Sequence, residues 1–97
     1  LLPALVKADP EALAAQLAAS ITLGVGQFCT NPGLLFILED ATTDKLVHAL
    51  TEALKKAAAG VMLNSSICRS YYTNRTHLKG IAGVKALLEG EDAFDSC

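Results

Sequence analysis

The segment "NPGLLFILED", residues 31–40, contains five consecutive apolar residues between a Pro-Gly pair and two acidic residues. A short apolar run bounded by turn residues and charges is typical of a strand that is buried on both faces. We therefore expect residues 34–38 to form an interior strand of a sheet. Such a strand needs a neighbour on each side to satisfy its backbone groups, so the 97-residue chain is expected to be incomplete on its own.

Local signals predict a helix before this run. The stretch "DPEALA" begins with Asp9, a favourable N-cap, and continues with Pro10 at the first helical position. Two glycines about four turns later make further helix costly, which predicts a helix over residues 10–25. Cys29 then lies in a loop just past the C-terminus of that helix.

Two further helices are predicted after the apolar run. The first has Thr42 as its expected cap, Leu46 on its apolar face and Gly60 as its C-terminal stop, and the second begins near Ser65. The segment "VKALL", residues 84–88, is too short for its period to distinguish helix from strand. This order of elements favours an α/β fold in which helices flank a buried sheet.

Composition limits the classes of partner. Eight Lys and Arg against ten Asp and Glu give a net charge of −2, so no basic surface for nucleic acid is expected. No apolar run approaches the ~20 residues that span a bilayer, so no membrane partner is expected. The three cysteines, Cys29, Cys68 and Cys97, are odd in number and lack metal-ligand spacing. We expect neither a metal site nor a disulfide framework, and a reducing cytoplasm as the location.

The residues around Cys29 leave two interpretations of its role. No Lys, Arg or His occurs between Lys7 and Lys45, and the preceding helix presents its negative C-terminal end, which disfavours a thiolate. These features favour a structural thiol, since free cysteine is among the most buried residue types. The corresponding function is a small Ala/Leu-rich helical interaction module with Cys29 as a core thiol. The other reading is a nucleophile that is activated by groups elsewhere.

The stretch "LGVGQFCTNPG", residues 23–33, resembles the nucleophile segment of the aldehyde dehydrogenase superfamily. Most members follow the cysteine with small residues and a basic one, whereas this chain has Asn-Pro-Gly. That departure resembles the branch of ketoglutarate semialdehyde (2,5-dioxovalerate) and fatty aldehyde dehydrogenases. The resemblance implies that residues 1–97 are the opening segment of a catalytic domain, with the nucleotide-binding domain absent from them.

The resemblance also implies a reaction. Cys29 attacks an aldehyde, such as an acidic semialdehyde, to form a thiohemiacetal, which gives hydride to NAD or NADP and leaves a thioester for hydrolysis to the acid. Gly26, Gln27, Phe28 and Thr30 are implied as the loop and the substrate pocket, with the Cys29 N–H as one oxyanion donor. The resemblance places the general base and the second oxyanion donor outside residues 1–97, and it implies that the cofactor is bound mainly by parts absent from them. The whole enzyme is expected to be a cytoplasmic homo-oligomer.

Overall fold

The computed structural model describes residues 1–90, so Cys97 lies outside the described part. The chain divides into two compact units, Leu1–Ala58 and Ala59–Cys97. The α-helices of the described residues are α1 (Pro3–Ala8), α2 (Pro10–Thr22), α3 (Thr43–Lys55) and α4 (Ser65–Lys79), and a short 3-10 turn, Leu23–Gly26, follows α2. In these residues, no helix combines the length and the apolar character needed to cross a bilayer.

The prediction of an interior strand at residues 34–38 is wrong. No strand is formed anywhere in residues 1–90. Exposure nonetheless alternates along the run: Leu34, Phe36 and Leu38 are 80%, 79% and 68% exposed, whereas Ile37 packs against the core of the first unit. This alternation is that of an extended chain. One face of the run is therefore covered and the other is open.

Hydrogen bonding explains why this extended run is not a strand. The Leu1 amino group donates to Phe36 O over 2.6 Å, and the Thr43 hydroxyl donates to Leu38 O over 3.1 Å. Neither contact belongs to a ladder with a second extended segment, which is what defines a strand. The α/β fold class with helices flanking a buried sheet is thus contradicted. The described residues are helical, and helices need only local hydrogen bonds.

The core of the first unit lies between α2 and α3. Val6, Ala14 and Leu46 are buried together. Around them pack the partly buried side chains of Leu13, Leu17, Ile37, Ala49 and Leu50. Alanines at the centre allow two helices to approach closely, and the flanking leucines supply most of the apolar area. This packing fixes the C-terminal end of α2, from which the Cys29 loop departs.

The predicted helix starts are mostly confirmed. Asp9 caps α2, since its Oδ1 accepts from the Ala12 N–H over 3.0 Å. α4 begins at Ser65, and its cap Asn64 accepts from the Ile67 N–H over 2.9 Å. Helix α1 was not predicted, although Pro3 at its start is a usual signal. The structure ends α2 at Thr22 rather than at position 25, and α3 at Lys55 rather than near position 60.

Thr42 is the N-cap of α3 by position, but its hydroxyl does not cap the helix. The Thr42 hydroxyl and N–H both donate to Asp40 Oδ1 over 2.7 Å, and Thr43 Oγ1 accepts from the Asp40 N–H over 2.9 Å. Lys7 lies 3.9 Å from the other carboxylate oxygen of Asp40. Asp40 therefore organises the entry into α3.

The pH dependence of stability follows from Asp40. The Thr42 hydroxyl and N–H stabilise its carboxylate, with a smaller contribution from the Lys7 charge, and together they hold the Asp40 pKa below its ordinary value. A lowered pKa in the folded state contributes stability at neutral pH that is lost as the pH falls through that pKa. We expect Asp40→Asn to lower the urea midpoint at pH 7, and the difference from wild type to narrow below about pH 4.

The control for this prediction is Glu39→Gln, which removes a neighbouring exposed negative charge. Its urea midpoint should stay close to that of wild type across the same pH range. A difference for Asp40→Asn that is constant from pH 7 to pH 3 would contradict the role given to the ionised carboxylate.

The second unit contains α4. Cys68 is buried on this helix at 2% exposure. It is also disulfide-bonded, which differs from the expectation that the cysteines form no disulfide. Cys29 is free and exposed. The two cysteines therefore have different environments, and only Cys29 presents a thiol.

Candidate functional site

Cys29 lies on a tight turn that follows the C-terminal end of α2. The Asn31 N–H donates to Phe28 O over 3.0 Å, which places Cys29 and Thr30 at the two central positions of the turn. Both central residues are exposed. The prediction of Cys29 in a loop is confirmed, and its alternative reading as a core thiol is wrong because the side chain is open to solvent.

The backbone before this turn is left-handed at three successive residues. Gly24, Val25 and Gly26 have φ values of 58°, 59° and 74°. A β-branched residue at positive φ is an outlier, because its Cβ crowds the following carbonyl. Such a conformation costs about 1–3 kcal/mol and persists only where the surroundings hold it. The Cys29 turn is therefore connected to α2 through a strained link.

A Cβ would be crowded at both glycines of this link. A Cβ on Gly24 would clash with two ring carbons of Phe28, so the ring covers the glycine. A Cβ on Gly26 would lie 3.2 Å from both Asn31 Nδ2 and Ile21 O. The loop after the cysteine thus folds back onto the glycines before it.

The polar side chains of the loop are used in holding it. Gln27 donates to Gly24 O twice, from its backbone N–H over 3.1 Å and from Nε2 over 3.2 Å. Asn31 Nδ2 donates to Ile21 O over 2.7 Å. Phe28 stays 54% exposed although its ring covers Gly24. The predicted loop residues are therefore brought together around Cys29, and these two hydrogen bonds of Gln27 lie within the loop itself.

The contact of Asn31 was missed by the sequence reasoning, which treated this residue only as a departure from a motif. A signal was present. The last carbonyls of a helix lack intrahelical partners, and an Asn amide in the loop that follows is a common donor to them. The residues involved, Ile21 and Asn31, are ten apart, so the pairing could not be read from local spacing.

A separate groove of about 640 Å³ lies between α2 and α3. Its lining residues are Pro10, Glu11, Ala15, Lys45, His48, Ala49, Glu52, Ala53 and Lys56, and they include none of the predicted site residues. Glu52 accepts a 3.0 Å hydrogen bond from Lys55, which holds the Glu52 pKa below its ordinary value. The acidic and basic side chains of the groove are mixed and exposed, so it offers no single charge to a ligand.

Metal ions and dinucleotide diphosphates each require a particular set of protein donors. Residues 1–90 contain no group of three or more His, Cys, Asp or Glu side chains that could hold a metal ion. A dinucleotide diphosphate is held by a Gly-rich turn at a helix N-terminus or by cations. The Cys29 loop instead follows a helix C-terminus, and no cation occurs from position 8 to position 44. This loop does not fit the diphosphate of a nicotinamide cofactor.

The chain is similar to curated proteins that include two semialdehyde dehydrogenases. It is 40% identical over all 97 residues to alpha-ketoglutaric semialdehyde dehydrogenase 2 of Azospirillum brasilense. It is 32% identical over 90 residues to alpha-ketoglutaric semialdehyde dehydrogenase of Acinetobacter baylyi. The predicted resemblance to aldehyde dehydrogenases is confirmed. The similarity covers the whole chain, and the named relatives fall in the ketoglutarate semialdehyde branch that the Asn-Pro-Gly sequence indicated.

The chain spans only 18% and 17% of the lengths of these two dehydrogenases. No protein-family model matches it, and no solved structure matches it. The similarity therefore concerns one segment of an aldehyde dehydrogenase sequence, in which Cys29 lies on an exposed turn.

Proposed function

We propose that this chain is the nucleophile-bearing part of a longer aldehyde dehydrogenase, called the full-length enzyme below, that oxidises alpha-ketoglutaric semialdehyde or a related acidic semialdehyde. The observation that carries the proposal is the 40% identity over the whole chain to a protein named for this substrate. Residues 1–97 then form part of the catalytic domain, and the nucleotide-binding domain is formed by other residues of the full-length enzyme.

The chemistry that we assign to Cys29 begins with a C–S bond. The thiol gives up its proton, its sulfur attacks the aldehyde carbon, and the carbonyl electron pair moves to the oxygen, which takes up a proton to give a thiohemiacetal. The full reaction removes a hydride from that carbon, for which we propose NAD or NADP as the acceptor, held by residues outside the described part. Water then cleaves the resulting thioester, which releases the carboxylic acid and returns the Cys29 thiol.

Exposure and hydrogen bonding support this role for Cys29. The thiol is free and open to solvent, so a small carbonyl compound can reach it. Within residues 1–90 the Cys29 N–H forms no hydrogen bond, as is usual for the second residue of a tight turn. An unused N–H beside the sulfur is suited to receive the oxygen that becomes negative during attack. We propose that Phe28 and Thr30 flank the aldehyde in that arrangement, with Gly26 and Gln27 shaping the loop.

Activation of the thiol has to come from elsewhere in the full-length enzyme. The loop lies at the negative end of α2, and no cation occurs between Lys7 and Lys45. A general base and a second oxyanion donor are therefore part of the proposal as residues outside this chain. The resemblance further implies a homo-oligomer, which light scattering on the full-length enzyme would test.

The experiment that tests the proposal compares two proteins. Full-length enzyme mixed with alpha-ketoglutaric semialdehyde and NAD⁺ or NADP⁺ should produce NADH or NADPH, followed at 340 nm. A quenched sample should carry an acyl group on Cys29, located by peptide mass spectrometry. Failure to form reduced cofactor with this or a related semialdehyde would refute the proposed activity.

The 97-residue chain alone is expected to show no turnover in the same assay. A nucleophile without its base, second oxyanion donor and cofactor site cannot stabilise the transition state. Any reduced cofactor formed by the chain should persist in the Cys29→Ala variant, which would identify it as contamination. Turnover that depends on Cys29 in the isolated chain would show that the missing groups have been misplaced.

A further inference from the structure

The turn that carries Cys29 is held at both of its ends. At the first end, the Phe28 ring covers Gly24, where a Cβ would clash with the ring. At the other end, the Asn31 side chain donates to Ile21 O over 2.7 Å, and this contact is partly buried. Cys29 lies between these two anchors. Its position relative to α2 therefore depends on them rather than on the short turn alone.

The Asn31 contact is the one that closes the loop on the helix. Ile21 belongs to the last turn of α2, where carbonyl groups have no helical partner. By accepting from Asn31, this carbonyl joins the end of the helix to a residue ten positions later. A side chain to backbone hydrogen bond of this kind also satisfies a helix-end acceptor that would otherwise rely on water.

Strain within the closed loop gives this contact a further consequence. Val25 is held at a φ of 59°, which a β-branched residue adopts only under constraint. The Gln27 hydrogen bonds to Gly24 O act inside the loop, whereas the Asn31 bond ties its far end to α2. Without the Asn31 bond, rotation at Val25 can relax and carry the turn away from its position.

We propose that Asn31 is a positioning residue, which holds the Cys29 turn in its catalytic place by hydrogen bonding to the end of α2. The inference rests on the proposed function, because it concerns where the nucleophile is held. Asn31 does not contact the reacting atoms in this role. It acts through the loop geometry, to which reaction rates are sensitive, since a displacement of about 1 Å can cost 10²-fold in rate.

The test uses Asn31→Asp in the full-length enzyme. Asp has nearly the same shape but replaces the donating amide with an acceptor that faces Ile21 O. We expect kcat per active site to fall by about 10- to 100-fold, with KM within about threefold of wild type. The rate of Cys29 alkylation by iodoacetamide should change as well, although alkylation needs neither cofactor nor aldehyde. Asn31→Ala, which removes the donor without adding charge, should show the same pattern.

The matched control is Asn64→Asp. Asn64 uses its side-chain oxygen as an acceptor, from the Ile67 N–H over 2.9 Å, and Asp is an equally good N-cap. This variant should keep wild-type kcat, KM and alkylation rate. The folded fraction of each variant is measured by circular dichroism and kcat is expressed per folded active site, so that a purely structural role, which lowers the folded fraction, leaves kcat per site unchanged.

Cys29→Ser in the same assay separates the two proposals. If Cys29→Ser is inactive while Asn31→Asp and Asn31→Ala keep kcat per site within about threefold of wild type, the positioning role is refuted and the proposed function stands. If Cys29→Ser retains full activity, the nucleophile assignment is refuted, and the positioning role with it. If both Asn31 variants lose kcat per site and Cys29→Ser is inactive, the proposed function and the positioning role are both supported.

Discussion

In the full-length enzyme, Cys29→Ser is expected to lower kcat by on the order of 10³-fold or more, while folding stays nearly unchanged. A hydroxyl is far harder to ionise than a thiol near neutral pH, so the serine cannot replace the sulfur as a nucleophile. Folding is preserved because Cys29 is exposed, so the fold depends little on its burial. Steady-state kinetics at 340 nm and far-UV circular dichroism measure the two quantities.

Cys68→Ser is the comparison variant, since it is the same substitution at a buried cysteine of α4 that is disulfide-bonded, so it also removes that disulfide. There we expect the opposite pattern, with lower stability and unchanged kcat per folded enzyme. Alkylation should inactivate the enzyme in proportion to labelling at Cys29, and aldehyde should slow it. An active Cys29→Ser enzyme, or inactivation that does not follow labelling at Cys29, would contradict the assignment.

The helices were predictable to the extent that their signals are local. Asp9 and Pro10 mark the start of α2 within the sequence itself, and the structure forms the expected capping bond. The strand at residues 34–38 was not predictable in this way. An apolar run indicates burial, but a strand exists only through hydrogen bonds to distant segments. In residues 1–90 no such segment pairs with it, and its outward face stays open.

The site shows the same division between local and distant information. The glycines at positions 24 and 26 predicted a break after α2, and Cys29 does lie in the loop that follows. The left-handed Val25 could not be predicted, because a β-branched residue normally signals the opposite conformation. The Asn31 contact to Ile21 depends on how that loop closes, which only the three-dimensional structure provides.

The apolar face of α3 carries the largest expected effect on stability. Leu46 is 0% exposed at the centre of the core formed with Val6 and Ala14. Leu46→Ala removes most of the central side chain and leaves a cavity, which costs about 2–5 kcal/mol in buried sites. A single core in a unit of this size rarely supplies more than about 3–5 kcal/mol. The substitution should therefore leave the Leu1–Ala58 unit largely unfolded.

Leu34→Ala is the same change at a side chain that is 80% exposed, so it provides the control. Its effect should stay within about 0.5 kcal/mol, because little apolar area is lost from contact. Urea titration of the 97-residue chain, followed by circular dichroism at 222 nm, gives both midpoints, and hydrogen exchange shows whether the amides of α2 and α3 have lost protection. Equal shifts for the two leucines would contradict the packing of α3 against α2, because the prediction depends only on which of them is enclosed.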